Sequence, residues 1–378
     1  MLKRHILSTL LLLGLSLLTQ QGWSATINVP ADQPTINAAI AAASAGDIIL
    51  VAPGIYTENV LVTKSLTIRS TGGRGVTTIQ GFMGVVLGTV FVQADDVTIG
   101  GIDQGFTIKG YDSSSPGIEH AAVYIQGARS NVTLRGNEVF ADGEAGLLTE
   151  SGNAVNNLVV SANVFSGKTF VGAMAGDCGF ANQFTASNVP RQLVVIATGT
   201  GITFTSNEIT GTAGSSSTDP GCTAFGQGNT LVTIDANNAT IRGNTFAGTT
   251  TRFGSSLRVR GTGANVSCNT FDNTGLGLAC VHIVFNATSI AGLGSPSSLA
   301  GIAAANTFTN DGAYFTGATT IYRSSAQVTA WPQTPIAANL AAFPWVTNIN
   351  TGEKYCSIQS AIDDAGTLAG HTISVAAG

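Results

Sequence analysis

One phrase returns along this chain: a short alternating apolar stretch, a small residue, an asparagine, then a second apolar stretch. It reads NVTLRGNEVF at 131–140, LVVSANVF ending at Phe165, ITFTSNEI at Ile209, ATIRGNTF at Phe246, NVSCNTF at Phe271 and GIAAANTF at Phe308. The recurring residues are Asn137, Asn163, Asn207, Asn244, Asn269 and Asn306, separated by 26, 44, 37, 25 and 37 positions. A unit of this size is the mark of a repeat architecture, in which each piece buries its apolar face only against its neighbours. In NVTLRG, Val132 and Leu134 alternate with Thr133 and Arg135, so the first pair faces a core and the second faces out. Gly136 turns the corner. Asn137 then falls at the same point of successive coils, where stacked side chains bond to each other and to turn backbone. The six asparagines are therefore expected to form an internal ladder rather than a sugar-binding row.

Separations near 25 fit one bare coil, while 37 and 44 imply a coil carrying an insertion. The insertions fall at about 167–191, 211–228 and 274–299 and are rich in Gly, Ser and Ala. In a solenoid such insertions gather on one side and are often where partners bind.

Composition agrees with strands and turns. Charged residues are 10% and Gly is 47 of 378, whereas a large helical protein carries more Glu, Lys and Arg on its outer faces. The net charge of -5 is spread thinly and no basic stripe exists, which excludes the usual footprint of a nucleic-acid binder. Residues 1–24 read as a secretory signal peptide: Lys3, Arg4 and His5, an apolar run from Ile6 to Leu18, then Gly22-Trp23-Ser24. No later stretch is apolar for long enough to span a membrane. The mature protein is expected to be secreted, in the extracellular space or at the cell surface.

Five cysteines suit an oxidising compartment but not a disulfide-dense scaffold. None sits in a CxxC and the four histidines are scattered, so no metal site is expected. Cys268 and Cys280 can close a small loop. Cys178 and Cys222 can pair across Gly-rich segments, and Cys356 is left over. Spacing leaves this connectivity open.

After residue 24 the chain opens with a strand at 26–29. Ile36, Ala39, Ile40 and Ala43 then recur at helical spacing, which predicts a short helix over 35–43. Strands follow at 48–51, 60–62 and 66–68, with a turn at Pro53-Gly54. A helix ahead of the first coil makes physical sense, because a solenoid leaves its terminal core and strand edges open. Ile36 to Ile40 and the run Ala45-Gly46-Asp47-Ile48-Ile49-Leu50-Val51-Ala52-Pro53-Gly54-Ile55-Tyr56 resemble the N-terminal cap of the pectin lyase-like superfamily. That resemblance, covering the repeats to about Phe308, implies an all-β, right-handed parallel β-helix of three sheets with a short N-terminal capping helix. We place it at 25–328, followed by a Pro/Trp-rich linker or loose cap at 329–347. Residues 348–378 repeat the opening. Ile358 matches Ile36, Ala361-Ile362 matches Ala39-Ile40, and Val375 to Gly378 matches Val51 to Gly54. This predicts the truncated start of a second β-helix, whose continuation could hold a partner for Cys356.

The resemblance implies chemistry on acidic polysaccharides at an outer face. Lyases need a base, often Arg or Lys, and commonly Ca²⁺; hydrolases need a carboxylate pair; esterases need an Asp nucleophile with a second Asp and an Arg. No full set of these motifs is present. Asp95-Asp96 precedes a V-T-I strand and reads as a turn. One outward cluster remains. Lys109 in GFTIKG and Arg135 in NVTLRG are 26 apart and are expected to stack on adjacent coils, with Asp112, Glu138, Asp142 and Glu144 close by. Arg258 and Arg260 flank Val259 as an exposed strand face. His120 and His282 lack obvious partners. The N-x-S/T sites at Asn131, Asn238, Asn265 and Asn286 follow the strand grammar. The reading that results is a secreted β-helix scaffold for adhesion or glycan binding without a cofactor. The alternative is a polysaccharide lyase or glycoside hydrolase, with Ca²⁺ only in the lyase case.

Overall fold

The computed structural model describes residues 24–82, 88–111, 121–142, 145–168, 192–213, 230–250, 254–272, 280–285, 292–297, 301–302, 305–309, 321–322, 346–350, 354–355, 358, 362 and 368–375. The signal segment through Trp23, Cys178, Cys222, Cys356, His120 and most of the 329–347 linker lie outside them. Among the described residues, no helix is long and apolar enough to cross a membrane.

Each coil lays one short strand into each of three parallel sheets, A, B and C in chain order. A regular coil places Thr133–Arg135 in sheet A, Glu138–Asp142 in sheet B and Ala145–Thr149 in sheet C. The next begins again with Val159–Ser161 in sheet A. Leu134 sits in register between Ile99 and Val160, Val139 between Ile108 and Phe165, and Leu147 between Val123 and Val194. All nine are buried, so period-2 alternation on three sheets yields one continuous apolar column. Phe246 stacks on Phe271 within it, ring centroids 4.6 Å apart. Three parallel sheets wound by successive coils make a parallel β-helix, with the right-handed crossovers that parallel strands of one sheet take.

Two corners explain why the strands stay this short. Between sheets A and B the downstream coils turn in two residues: a left-handed residue (Gly136, Ala162, Ser206, Gly243 or Cys268), then a ladder asparagine. Before sheet A a second left-handed position recurs, at Asp96, Asn131, Asn157, Gly201, Asn238 and Gly263. Asn, Asp and Gly tolerate that region best. Asp95-Asp96 is therefore a turn: Asp95 Oδ1 accepts from Ser130 N at 2.9 Å and Asp96 Oδ1 from Asn131 Nδ2 at 2.8 Å.

The third corner, from sheet B to sheet C, absorbs most of the length variation. It spans 143–144 in one coil and 169–191 in the next. The insertions read at 167–191 and 211–228 fall there apart from Gly167-Lys168 and Thr212–Ala213, which are strand residues of sheet B. The one read at 274–299 needs correction, because it contains the sheet C strand Cys280–Phe285; its flanking Gly-rich sequence hid a short apolar run.

At the N-terminus a helix, α1 (Ile36–Ala42), covers the first coil and buries Ile36, Ala39 and Ile40. Thr35 Oγ1 caps it by accepting from Ala38 N at 3.0 Å. The first coil holds both of its ends. Glu58 accepts from Ile36 N at 2.9 Å and Asn37 N at 3.0 Å, while Lys64 Nζ donates to the carbonyls of Ile40, Ala41 and Ala43. A carboxylate at the N-terminus and an ammonium at the C-terminus oppose the helix dipole correctly.

The C-terminal repeat of the opening sequence pairs differently. Thr26–Val29 and Ile48–Val51 run parallel, but their counterparts Val346–Asn348 and Ile373–Val375 run antiparallel. Ile358 and Ile362 are 52% and 55% exposed, where the matching Ile36 and Ile40 are buried.

Candidate functional site

The six ladder asparagines are at most 2% exposed and bond in series. Asn207 is representative. Its Oδ1 accepts from Asn163 N at 3.0 Å and Asn163 Nδ2 at 3.1 Å. Its Nδ2 donates to Asn244 Oδ1 at 3.0 Å and to Val160 O at 2.9 Å. With every group turned inward, the ladder offers nothing to a ligand.

Lys109 and Arg135 do not stack. Lys109 lies in sheet B, in register with Gln80 and Phe140; Arg135 lies in sheet A, between Gly100 and Ser161. The expectation failed because a coil holds two similar short strands either side of its Gly-Asn corner, and the two phrases come from different ones. Lys109 Nζ instead sits 5.9 Å from the Phe140 ring centroid. Glu138 is tied to sheet B, accepting from Ser166 Oγ at 3.0 Å and Thr107 Oγ1 at 3.3 Å. Asp142 ends the same strand. Asp112 and Glu144 lie outside the described residues. No convergent site forms among the described members of this cluster.

A different set converges on the outer face of sheet C. In the strand Thr230–Asn237, Val232, Ile234 and Ala236 point into the core, so Thr233 and Asp235 point out. In Gly254–Val259, Leu257 and Val259 point in, so Arg258 points out, and Arg260 follows in the same alternation. Thr233 pairs in register with Arg258 and Ile234 with Val259, which sets Asp235 beside Arg260. Arg260 Nη2 forms an ion pair with Asp235 Oδ2. The four side chains make a two-by-two block on adjacent strands.

The block is largely covered. Thr233 is 1% exposed, and the Asp235 and Arg260 side chains are 6% and 23% exposed. Burial raises the Asp235 carboxyl above the usual aspartate range, against the opposing pull of Arg260. Burial, reinforced by the Arg260 charge, lowers Arg258 to about 10. Among the described residues, Thr233 Oγ1 and Asp235 Oδ1 find no hydrogen-bond partner. Buried groups with shifted acidities and unspent polar atoms mark candidate sites.

Along the same outer column, earlier coils present Val195, Leu148, Tyr124, Phe91 and Leu61. These form a second apolar cluster outside the main core, with Phe91 and Tyr124 stacked at 5.4 Å. A buried apolar strip therefore runs into a polar, cationic block at the ends of the sheet C strands, where the chain leaves for the next sheet A strand. Sequence reasoning placed Arg258 and Arg260 outward but took their face as exposed and missed Asp235, although one signal was available. Asp235 and Arg260 are 25 residues apart, the same step as Asn244 and Asn269 on the same two coils.

Cys268 is a left-handed corner residue. Cys280 lies in a strand whose side chain there is outside the described set, as is that of His282. Among the described residues no group of three His, Cys, Asp or Glu could hold a metal.

No family model and no curated protein matches this chain. Solved structures resemble it at low similarity. An alginate lyase from Paenibacillus sp. is 14% identical, covering 80% of this chain and 98% of its own, with a TM-score of 0.42. The pectin methylesterase PemA from Erwinia chrysanthemi is 12% identical over 85% and 99%, TM-score 0.43. A carrot pectin methylesterase is 12% identical over 84% and 99%, TM-score 0.42. Likeness at this level assigns no residue and no activity.

Proposed function

We propose that this chain is an exported β-helix that binds acidic polysaccharide along the outer face of sheet C. Arg258 and Arg260 are its anion-binding groups, and Asp235 is the carboxylate that positions them. The observation that carries this reading is the placement of the block: Arg260 pairs with Asp235, and Arg258 stands beside them on the same sheltered face of the sheet. Guanidinium suits a sugar carboxylate, which it grips with two parallel hydrogen bonds. Asp235 is the only carboxylate on the described strands of sheet C, and a hydrolase or esterase of this kind needs a second. Binding, in the service of adhesion to a glycan surface, is therefore the reading supported best.

A second reading, a polysaccharide lyase, is favoured by one fact. Arg258, lowered to about 10, is nearer to acting as a base than an ordinary arginine. Calcium enters only under that reading.

Affinity electrophoresis of the chain from Ala25 onward through gels containing alginate, polygalacturonate or a neutral glucan tests both. We expect retardation in an acidic gel, lost in Arg258→Gln and Arg260→Gln, with no unsaturated ends released. Unsaturated ends that disappear in Arg258→Gln would establish the lyase. Equal mobility in acidic and neutral gels would end the binding reading.

A further inference from the structure

A groove of about 440 Å³ opens at the A–B corner, on the edge of the prism away from sheet C. Gly72, Gly73, Arg74, Gly75, Ile102 and Asp103 line one side, with Gly136 and Ala162 below. Its origin is a step in corner length. The early coils turn from sheet A to sheet B through 71–76 and 101–106, and these overhang the two-residue corners 136–137 and 162–163. The floor has almost no side chains because the coils meet there backbone to backbone. A Cβ on Gly105 would run into Gly136 O, and one on Gly136 would run into Gly101 O. Behind the floor stands the first ladder rung, with Asn137 Oδ1 accepting from Phe106 N at 2.9 Å and Nδ2 donating to Ile99 O at 3.0 Å. The groove is thus a rigid, peptide-lined slot.

Two charged side chains border it. The Arg74 guanidinium and the Asp103 carboxylate form no ion pair or side-chain hydrogen bond with the described residues. Ile102, 51% exposed, stands beside them. Arg74 suits an anion of carboxylate geometry. Asp103, an acceptor only, suits paired hydroxyl donors. A peptide floor with an exposed isoleucine suits a ring with one apolar face. The volume lies in the lower part of the ~300–1,000 Å³ range of small-molecule sites. We propose that this groove is a second binding site that takes one or two residues of a sugar acid, its carboxylate on Arg74 and its vicinal hydroxyls on Asp103. It is separate from the sheet C block and does not depend on it.

The test uses the full chain. Arginines are labelled with phenylglyoxal in the presence of galacturonate or of galactose, and each site is read by peptide mass mapping. We expect galacturonate to slow labelling of Arg74 roughly tenfold at about ten times its dissociation constant, and galactose to leave the rate unchanged. Asp103→Asn should abolish the protection; Asn keeps the left-handed backbone that Asp103 adopts at φ 57, so the fold is retained. Equal Arg74 labelling in both sugars, or protection unaltered by Asp103→Asn, overturns the proposal. Protection at Arg258 and Arg260 is read from other peptides in the same digest, so failure of the groove and failure of the sheet C reading appear separately.

Discussion

Glu58 and Lys64, both in the first coil, hold opposite ends of α1: the carboxylate takes the N-terminal amides and the ammonium takes the last carbonyls. A cap that covers an open solenoid end is thereby fixed to the coil it covers. Replacing Lys64 with Met, or Glu58 with Ala, should cost about 1–3 kcal/mol each. Hydrogen exchange should show the loss in α1 and the first coil, with protection of the ladder coils unchanged, because a solenoid couples only neighbours.

The internal ladder and the outer corner asparagines should respond differently. Asn207→Ala strands the buried Asn163 N–H and cuts the link to Asn244, for an expected loss of about 2–4 kcal/mol. Asn131 bonds to Asp96 and Asn157 at the exposed corner, so Asn131→Ala should cost about 1 kcal/mol, mostly from its φ of 59. Asn131→Gly should stay within about 0.5 kcal/mol. Denaturant titration of the three variants distinguishes the roles.

Equivalent corner positions should not tolerate alanine equally. Ala162 already occupies the left-handed corner at φ 54, so conformation alone does not forbid a Cβ. Gly243→Ala meets nothing closer than Ser206 Oγ at 3.7 Å and should cost about 1 kcal/mol. Gly136→Ala drives a methyl into the Gly101 carbonyl and should cost about 2–4 kcal/mol or shift the corner. Ala162→Gly should stabilise by up to about 1 kcal/mol. Thermal melts of the three variants check this order.

Two aspartates should bend the pH profile in opposite directions. Backbone N–H groups of Ser44 and Ala25 lower the Asp47 carboxyl below 3.8 in the fold. Its contribution is complete above that value and is lost as pH falls through the lowered one. Burial raises Asp235 above 3.8. The fold then holds a proton that the unfolded chain releases, and stability falls as pH rises through that interval. Asp47→Asn should flatten the acid limb, and Asp235→Asn should remove the opposing slope. Urea unfolding between pH 2 and 7 reads both.

The ladder was legible because only stacked coils bring asparagines 25 to 44 residues apart into one recurring phrase. Relative phase between coils was not. Lys109 and Arg135 share the spacing of Asn137 and Asn163, yet the sheet B strand of Lys109 pairs with Glu138–Asp142, because its own coil has a longer B–C corner. Counting from an asparagine rung keeps phase; counting from a resembling strand does not. Asp235 and Arg260 obeyed that count, but Arg260 was read only as part of an exposed strand face and Asp235 was passed over because no motif marked it. The groove at Arg74 was illegible for another reason, since it arises from the difference in length between successive corners rather than from any one segment.

The two-residue turn from sheet A to sheet B has a consequence for how such a chain can change. Every ladder asparagine resets the position of the strands that follow, so a segment added at the B–C corner does not accumulate into error further along. Residues 169–191 lie between Asn163 and Asn207, two rungs that bond to each other directly. The molecule is in this sense an indexed shelf, in which one edge keeps the count and another is left free to carry new cargo.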